Sequence, residues 1–279
     1  MANNTTNSRP ILAPEQVAEL LVTPTLGESI AAQVANVVMT DATASSFRIP
    51  SVQSDPSASW VLEGEEIPIS EAAFGETIAT FSKLAGVTII TNELAEDSSP
   101  EASAAIGAGL ARDMARKLDA AWFGKLAAPA PAGLGSLKNV STVAAGPAIT
   151  NTDPFVEAIA AADVVGAQLT SFVANPADAL ALAKVKKADG SNEPLMQNDP
   201  TAPTQRLVSG LPLFTSPFVA TGTIWGIPQS RAYLVIREDA QVEADPSPFF
   251  TSDRTAVRGK MRVGFAFPHE IAVVKITIG

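Results

Sequence analysis

The chain has one histidine, His269, and no cysteine. Ser-His and Cys-His nucleophiles need an imidazole beside the attacking atom, and structural zinc sites draw on several Cys and His ligands. One histidine in Phe267-Pro268-His269-Glu270, between two extended runs, suits a turn. Disulfides are excluded. Gly107 and Gly109 lie inside a helical pattern, whereas a phosphate-binding glycine loop joins a strand to a helix. Glu63, Glu65 and Glu66 lack the Asp/Asn/Gly spacing of a calcium loop and read as a solvated acidic tip. Lys184, Lys186 and Lys187 form the densest basic run and read as a helix end matched to its dipole. No catalytic residue, cofactor site or metal site is expected, and the chain is read as not an enzyme.

Composition points elsewhere. Hydrophobic residues make up 46% of the 279 positions and charged residues only 17%. A free-standing subunit normally carries more surface charge, so partners are expected to cover much of this one. Acids outnumber bases 29 to 19, and the net charge of −10 disfavours tight nucleic-acid binding. No stretch is apolar enough for a membrane span, and the polar start Met1–Pro10 is unlike a signal peptide.

The elements that carry these residues follow from periodicity. A polar arm is followed by a helix over Pro14–Leu21, closed by Pro24, and by an extended run from Ala44 to Val52 that ends in the breaker Pro50. Residues 54–75 combine Pro56, Gly64, Pro68 and Gly75 with Glu63, Glu65, Glu66 and Glu71, which predicts a projecting acidic loop. One long strand is expected over Thr77–Thr91, with Phe81, Val87 and Ile89 on one parity. Ser99 as N-cap, Pro100 and Glu101 open a helix that should stop at Gly124, about 36 Å on. Its stripe is Ile106, Leu110, Met114, Leu118 and Trp122, and its two glycines predict a close backbone neighbour. After an Ala/Pro/Gly-rich crossing at 127–146, helices over 155–168 and 177–185 flank a short strand, Ser171–Ala174. A broken polar segment runs from Lys186 to Pro203. Strands then dominate, closing with Val257–Phe267 and a successor over Ile271–Ile278, two long strands beside one long helix in an α+β layer.

This order of arm, acidic hairpin, long helix, mixed domain and terminal strands resembles the HK97-type major capsid proteins of tailed bacteriophages. The strings that carry the likeness are Thr80-Phe81-Ser82-Lys83, Thr88-Ile89-Ile90-Thr91-Asn92-Glu93-Leu94, Asn175-Pro176-Ala177-Asp178, Leu211-Pro212-Leu213-Phe214, Trp225-Gly226 and Val263-Gly264-Phe265-Ala266-Phe267. It spans nearly the whole chain. The resemblance implies an α+β fold with an N-terminal arm (1–45), an E-loop hairpin (46–93), a peripheral P domain with a spine helix (94–126 and 239–279) and a mixed axial A domain (127–238). It further implies pentamers and hexamers in an icosahedral shell that encloses double-stranded DNA, with a separate scaffolding protein, a portal and decoration proteins as partners. Assembly would take place in the host cytoplasm.

By the same resemblance the E-loop lies across a neighbouring subunit. Its acidic tip, Glu63, Glu65 and Glu66, would meet Arg254, Arg258 and Arg262 there. The family's namesake joins an E-loop Lys to a neighbour's Asn. Lys83 matches that Lys, but Asp253 stands at the Asn position and Lys260 at that of the assisting Glu. A carboxylate is a poor electrophile toward an amine, and a cationic Lys accepts no proton, so no covalent cross-link is expected. An encapsulin-like nanocompartment shares the fold and is the rival reading; a tail-tube protein and a soluble enzyme are the others.

Overall fold

The computed structural model describes residues 23–41, 43–54, 58–62, 64, 66, 68–69, 73–91, 100–188, 191–198, 206–245 and 247–279. The helix expected over Pro14–Leu21 lies outside them. Two short helices, α1 (Thr23–Glu28) and α2 (Ile30–Val34), lead into β1 (Asn36–Thr40). Pro24 sits in the first turn of α1, a position where its missing N–H is harmless.

Next comes the hairpin of β2 (Ser46–Ser54) and β3 (Ala73–Thr80), a two-stranded sheet of its own. Pro50 lies within β2 and does not end it; a two-stranded sheet leaves each strand one free edge, where a missing donor breaks no ladder. The expected single strand over Thr77–Thr91 is broken at Phe81. β3 pairs with β2, whereas β4 (Ser82–Thr91) pairs with β12 (Arg254–Ala266) over its length. Each half has its own partner, so the chain must bend between them.

Helix α3 (Pro100–Phe123) stops at Gly124, and Met114, Leu118 and Trp122 are buried as the stripe predicts. They pack on a four-stranded sheet of order β1-β11-β12-β4, where β11 is Tyr233–Asp245. The Trp122 ring meets Phe265 edge-on at 4.9 Å and Phe267 at 5.0 Å. Burying a large apolar side chain contributes roughly 1.5–3 kcal/mol, so this cluster is the main clamp of helix on sheet. The close approach expected at Gly109 is absent; a Cβ there would meet only the Arg112 side chain, at 3.8 Å. The tight contact is on the strand side, where a Cβ at Gly86 would stand 2.5 Å from Leu110 Cδ1.

The second half is a seven-stranded sheet of order β5-β13-β10-β6-β9-β8-β7. Its strands are β5 (Ser141–Ala144), β6 (Ser171–Ala174), β7 (Gln197–Asn198), β8 (Arg206–Val208), β9 (Leu211–Thr215), β10 (Thr223–Ile227) and β13 (Val274–Thr277). Helices α4 (Asp153–Val164) and α5 (Pro176–Lys184) cover it, with Phe155 against Phe172 at 5.1 Å in their shared core. Asn175 caps α5 by accepting from the Ala177 N–H at 3.0 Å, while its own amide donates to the Val219 carbonyl.

One expectation fails here. The final strand does not lie beside β12; it inserts between β5 and β10, and the second long strand beside β12 is β11. Both candidates alternate or are apolar, so periodicity alone cannot choose between them. Within the polar, broken segment expected over Lys186–Pro203, the described residues also contact one another. The Leu195 N–H donates to the Val185 carbonyl at 2.8 Å, Lys187 is ion-paired with Glu193, and Lys186 Nζ donates to the Asn192 carbonyl at 3.1 Å.

Candidate assembly surfaces

The base of the β2–β3 hairpin is fastened to the sheet. Ile49 and Ala79 are buried in a small cluster with Val235 of β11 and Ala266 of β12, joined by Phe47, Phe81 and Tyr233. A Cβ at Gly264 would stand 2.8 Å from the Thr80 carbonyl oxygen, so glycine there lets the hairpin backbone cross β12 in contact. Farther out, Arg48 and Glu76 form a diagonal cross-strand ion pair at 3.2 Å, exposed and worth at most about 1 kcal/mol. The projection is thus aimed by packing at its root.

Its loop is open. Among the described residues 58–69, Trp60 is 106% exposed, Leu62 74% and Ile69 94%. Gly64 takes φ +90°, a left-handed turn conformation that glycine adopts without strain. Glu66 is exposed beside it; Glu63 and Glu65 lie outside the described residues. Three large apolar side chains in water on one loop mark a surface meant for a partner.

The other sequence-predicted residues cluster on one face. Along β4 exposure alternates: Lys83, Ala85, Val87, Ile89 and Thr91 point outward, while Leu84 and Gly86 turn toward α3. The predicted apolar parity of Val87 and Ile89 therefore faces solvent, at 63% and 47% exposure. Register places Arg262 opposite Lys83, Lys260 opposite Ala85, Arg258 opposite Val87 and Arg254 opposite Thr91. Partners in an antiparallel ladder share a face, so a basic row runs beside an apolar one on the side of the sheet away from α3. The row has acidic neighbours too: Asp245, at the end of β11, is held below the usual carboxylate range by hydrogen bonds from Ser247, with a smaller pull from Arg258.

Asp253 stands at the far end of this face, in a left-handed turn with φ +51° just before β12. The ladder separates Lys83 from Thr91, the partner of Arg254, by eight residues, about 26 Å of strand. Lys83 and Asp253 of one subunit therefore cannot meet. His269 supplies a backbone carbonyl to the Ala272 N–H at 3.1 Å in the turn before β13, and its side chain makes no cap.

Sequence reasoning missed Asp119. A charged residue of α3, it is only 5% exposed. Its Oδ1 accepts from Ser29 Oγ at 2.6 Å and the Ala31 N–H at 2.9 Å, and Oδ2 accepts from the Ile30 N–H at 3.1 Å. It thereby caps α2 and ties the start of the described chain to the spine helix. Burial pushes its carboxyl above the usual range, against these three hydrogen bonds, which pull it down. An Asp directly after Leu118 and one turn before Trp122, on a helix rich in small residues, was the available signal.

Among the described residues no group of three or more His, Asp or Glu gathers to hold a metal, and no helix is long and apolar enough to cross a membrane.

A rooted projection with apolar side chains in water, a basic-apolar face and a spine helix under it define a subunit built to be covered by others. The chain belongs to the phage capsid family, whose model matches residues 11–278. No curated protein matches. Solved structures give the fold: the capsid of an empty GTA particle is 20% identical with a TM-score of 0.74, each chain covered to 90%. The capsid of a native GTA particle, also 20% identical, has a TM-score of 0.71 over 100% of this chain and 95% of that one. A structure from Microbacterium phage Oxtober96 is 18% identical with a TM-score of 0.71, covering 90% of this chain and 91% of that one. The molecule is a shell-forming major capsid protein of HK97-type fold, a structural component of the virion that assembles with copies of itself.

Proposed function

We propose that copies of this chain form pentamers and hexamers that close into an icosahedral shell around double-stranded phage DNA, assembled in the host cytoplasm with a separate scaffolding protein and a portal. The four-stranded sheet with α3 acts as the peripheral domain and the seven-stranded sheet as the axial domain, with β13 threaded into the latter. The subunit performs no catalysis and needs no cofactor. The observation that carries this reading is the rooted hairpin whose loop leaves Trp60, Leu62 and Ile69 in water, an arrangement that a second subunit relieves. Negative-stain microscopy and light scattering of the chain co-expressed with its neighbouring phage genes test it. Closed particles holding nuclease-resistant DNA are expected; a stable monomer at high concentration overturns the shell, and protein-filled particles overturn the cargo.

The acidic tip docks on the basic row of an adjacent subunit, Glu63, Glu65 and Glu66 facing Arg254, Arg258 and Arg262. Such pairing steers register more than it stabilises. Reversing all three Glu to Lys is expected to cut the yield of particles at least about tenfold, since facing like charges cost several kcal/mol, while leaving the subunit's circular dichroism unchanged. Normal particles from that variant sink the contact.

The mature shell is held without covalent links. Lys83 and Asp253 of neighbouring subunits meet at most as an ion pair, worth about 0–1 kcal/mol when exposed. Boiled in denaturant, purified particles should run as single chains near 28.8 kDa. A ladder of multimers refutes this.

A further inference from the structure

The solvent side of α3 carries charge without apolar surface. Arg112, Arg116 and Lys117 are exposed along it, Lys125 is exposed just past its end, and Asp113 is the one exposed carboxylate among them. Arg112 and Arg116 stack one turn apart, and about 16 Å of helix separates Arg112 from the end at Phe123. None of these four cations is ion-paired or hydrogen-bonded through its side chain to a described residue. The densest basic run in the sequence is different, because Lys187 pairs with Glu193 and Lys186 donates to the Asn192 carbonyl.

We propose that this stripe faces the lumen of the shell and touches the packaged double-stranded DNA, with Arg112, Arg116, Lys117 and Lys125 resting on phosphates without regard to base sequence. This rests on the reading that the shell encloses DNA and names where the wall meets it. Three observations favour a polyanion over a protein. No large apolar side chain is exposed on the described part of α3, whereas a protein interface needs an apolar centre that desolvates. The opposite side of the sheet exposes Val87 and Ile89 and is the side assigned to a neighbouring subunit, so α3 lies on the side left open. Duplex DNA bears one charge per about 1.7 Å of its axis, so a row of cations of this length finds several phosphates within reach. The net charge of −10 keeps the contact weak for each subunit, and repetition over many copies gives it effect.

Acetylation of lysines in intact particles, read by mass spectrometry, tests the contact. Lys117 and Lys125 are expected to react at least about threefold more slowly in DNA-filled particles than in the same particles emptied of DNA, with Lys184 on α5 reacting equally in both. Equal reactivity of Lys117 and Lys125 in filled and emptied particles overturns the contact and leaves the DNA-filled shell standing. Particles that never hold DNA overturn the reading beneath it as well. A second measurement follows the unassembled chain binding a labelled duplex of arbitrary sequence, by fluorescence anisotropy across a range of salt. Arg112→Gln with Arg116→Gln and Lys117→Gln should make the slope of log affinity against log salt about three units shallower than in the wild type. Gln forms helix about as well as Lys and Arg, so the circular dichroism should not change. Lys184→Gln with Lys186→Gln and Lys187→Gln should leave the slope as it is. A wild-type slope from the α3 variant, or a wild-type chain that does not bind the duplex at low salt, overturns the proposal.

Discussion

Replacing Gly133 by alanine is expected to remove about 3 kcal/mol or more of subunit stability, enough to leave little soluble chain. A Cβ at this position would stand 2.0 Å from the Ala121 carbonyl oxygen, 2.5 Å from that of Trp122 and 2.8 Å from that of Gly124. All three are backbone atoms at the end of α3, held by the helix and by the Trp122–Phe265 contact, so none can step aside. The returning chain presses on the helix terminus at this point. The neighbouring Gly135 N–H donates to the Gly124 carbonyl at 3.2 Å, and Leu134 is fully buried just after the crossing. Urea denaturation of the unassembled subunit measures the loss. Gly109→Ala is the control: it has only a side-chain tip at 3.8 Å and should gain a few tenths to about 1 kcal/mol from helix propensity. Equal stability of Gly133→Ala and the wild type would show that the crossing is loose.

Asp119→Ala should cost about 3 kcal/mol, because it strands the Ile30 and Ala31 N–H groups and the Ser29 hydroxyl at once. Asp119→Asn keeps one acceptor oxygen at this place and should lose only about 1 kcal/mol. The pH dependence has a definite sign. Burial raises the carboxyl above its ordinary value, so the folded subunit holds this proton more tightly than the unfolded chain does. Its contribution is fully present below the usual carboxylate range and is lost as pH rises through the folded value. Asp119→Asn should flatten that segment of the stability profile, measured by denaturant midpoints across mildly acid pH. An unchanged profile would mean that other carboxylates set it. Since α2 precedes β1, loss of the cap should also free the start of the described chain to limited proteolysis, and an unchanged cleavage pattern would show that β1 alone holds it.

How much was legible depended on the range of the interaction. The spine helix, its stop at Gly124 and its stripe could be read because capping and a 3.6-residue period act within a turn or two. The helix expected over 177–185 and the half-buried strand expected over Val257–Phe267 were local in the same sense. The order of parts carried the fold class, and the lack of Cys and of a second His bounded the chemistry.

Only the tertiary structure decided which element meets which. The break at Phe81 exists because β3 and β4 have different partners, and no property of Thr77–Thr91 taken alone specifies either. β13 enters the second sheet, where it meets β5 more than a hundred residues away in the chain and β10 about fifty residues away. Asp119 looked like surface charge until Ser29, ninety positions away, came to rest on it. The basic row became a face once the register of β4 on β12 set its neighbours. Periodicity tells a residue which side it turns inward; the partner on that side is set by the packing of the whole chain.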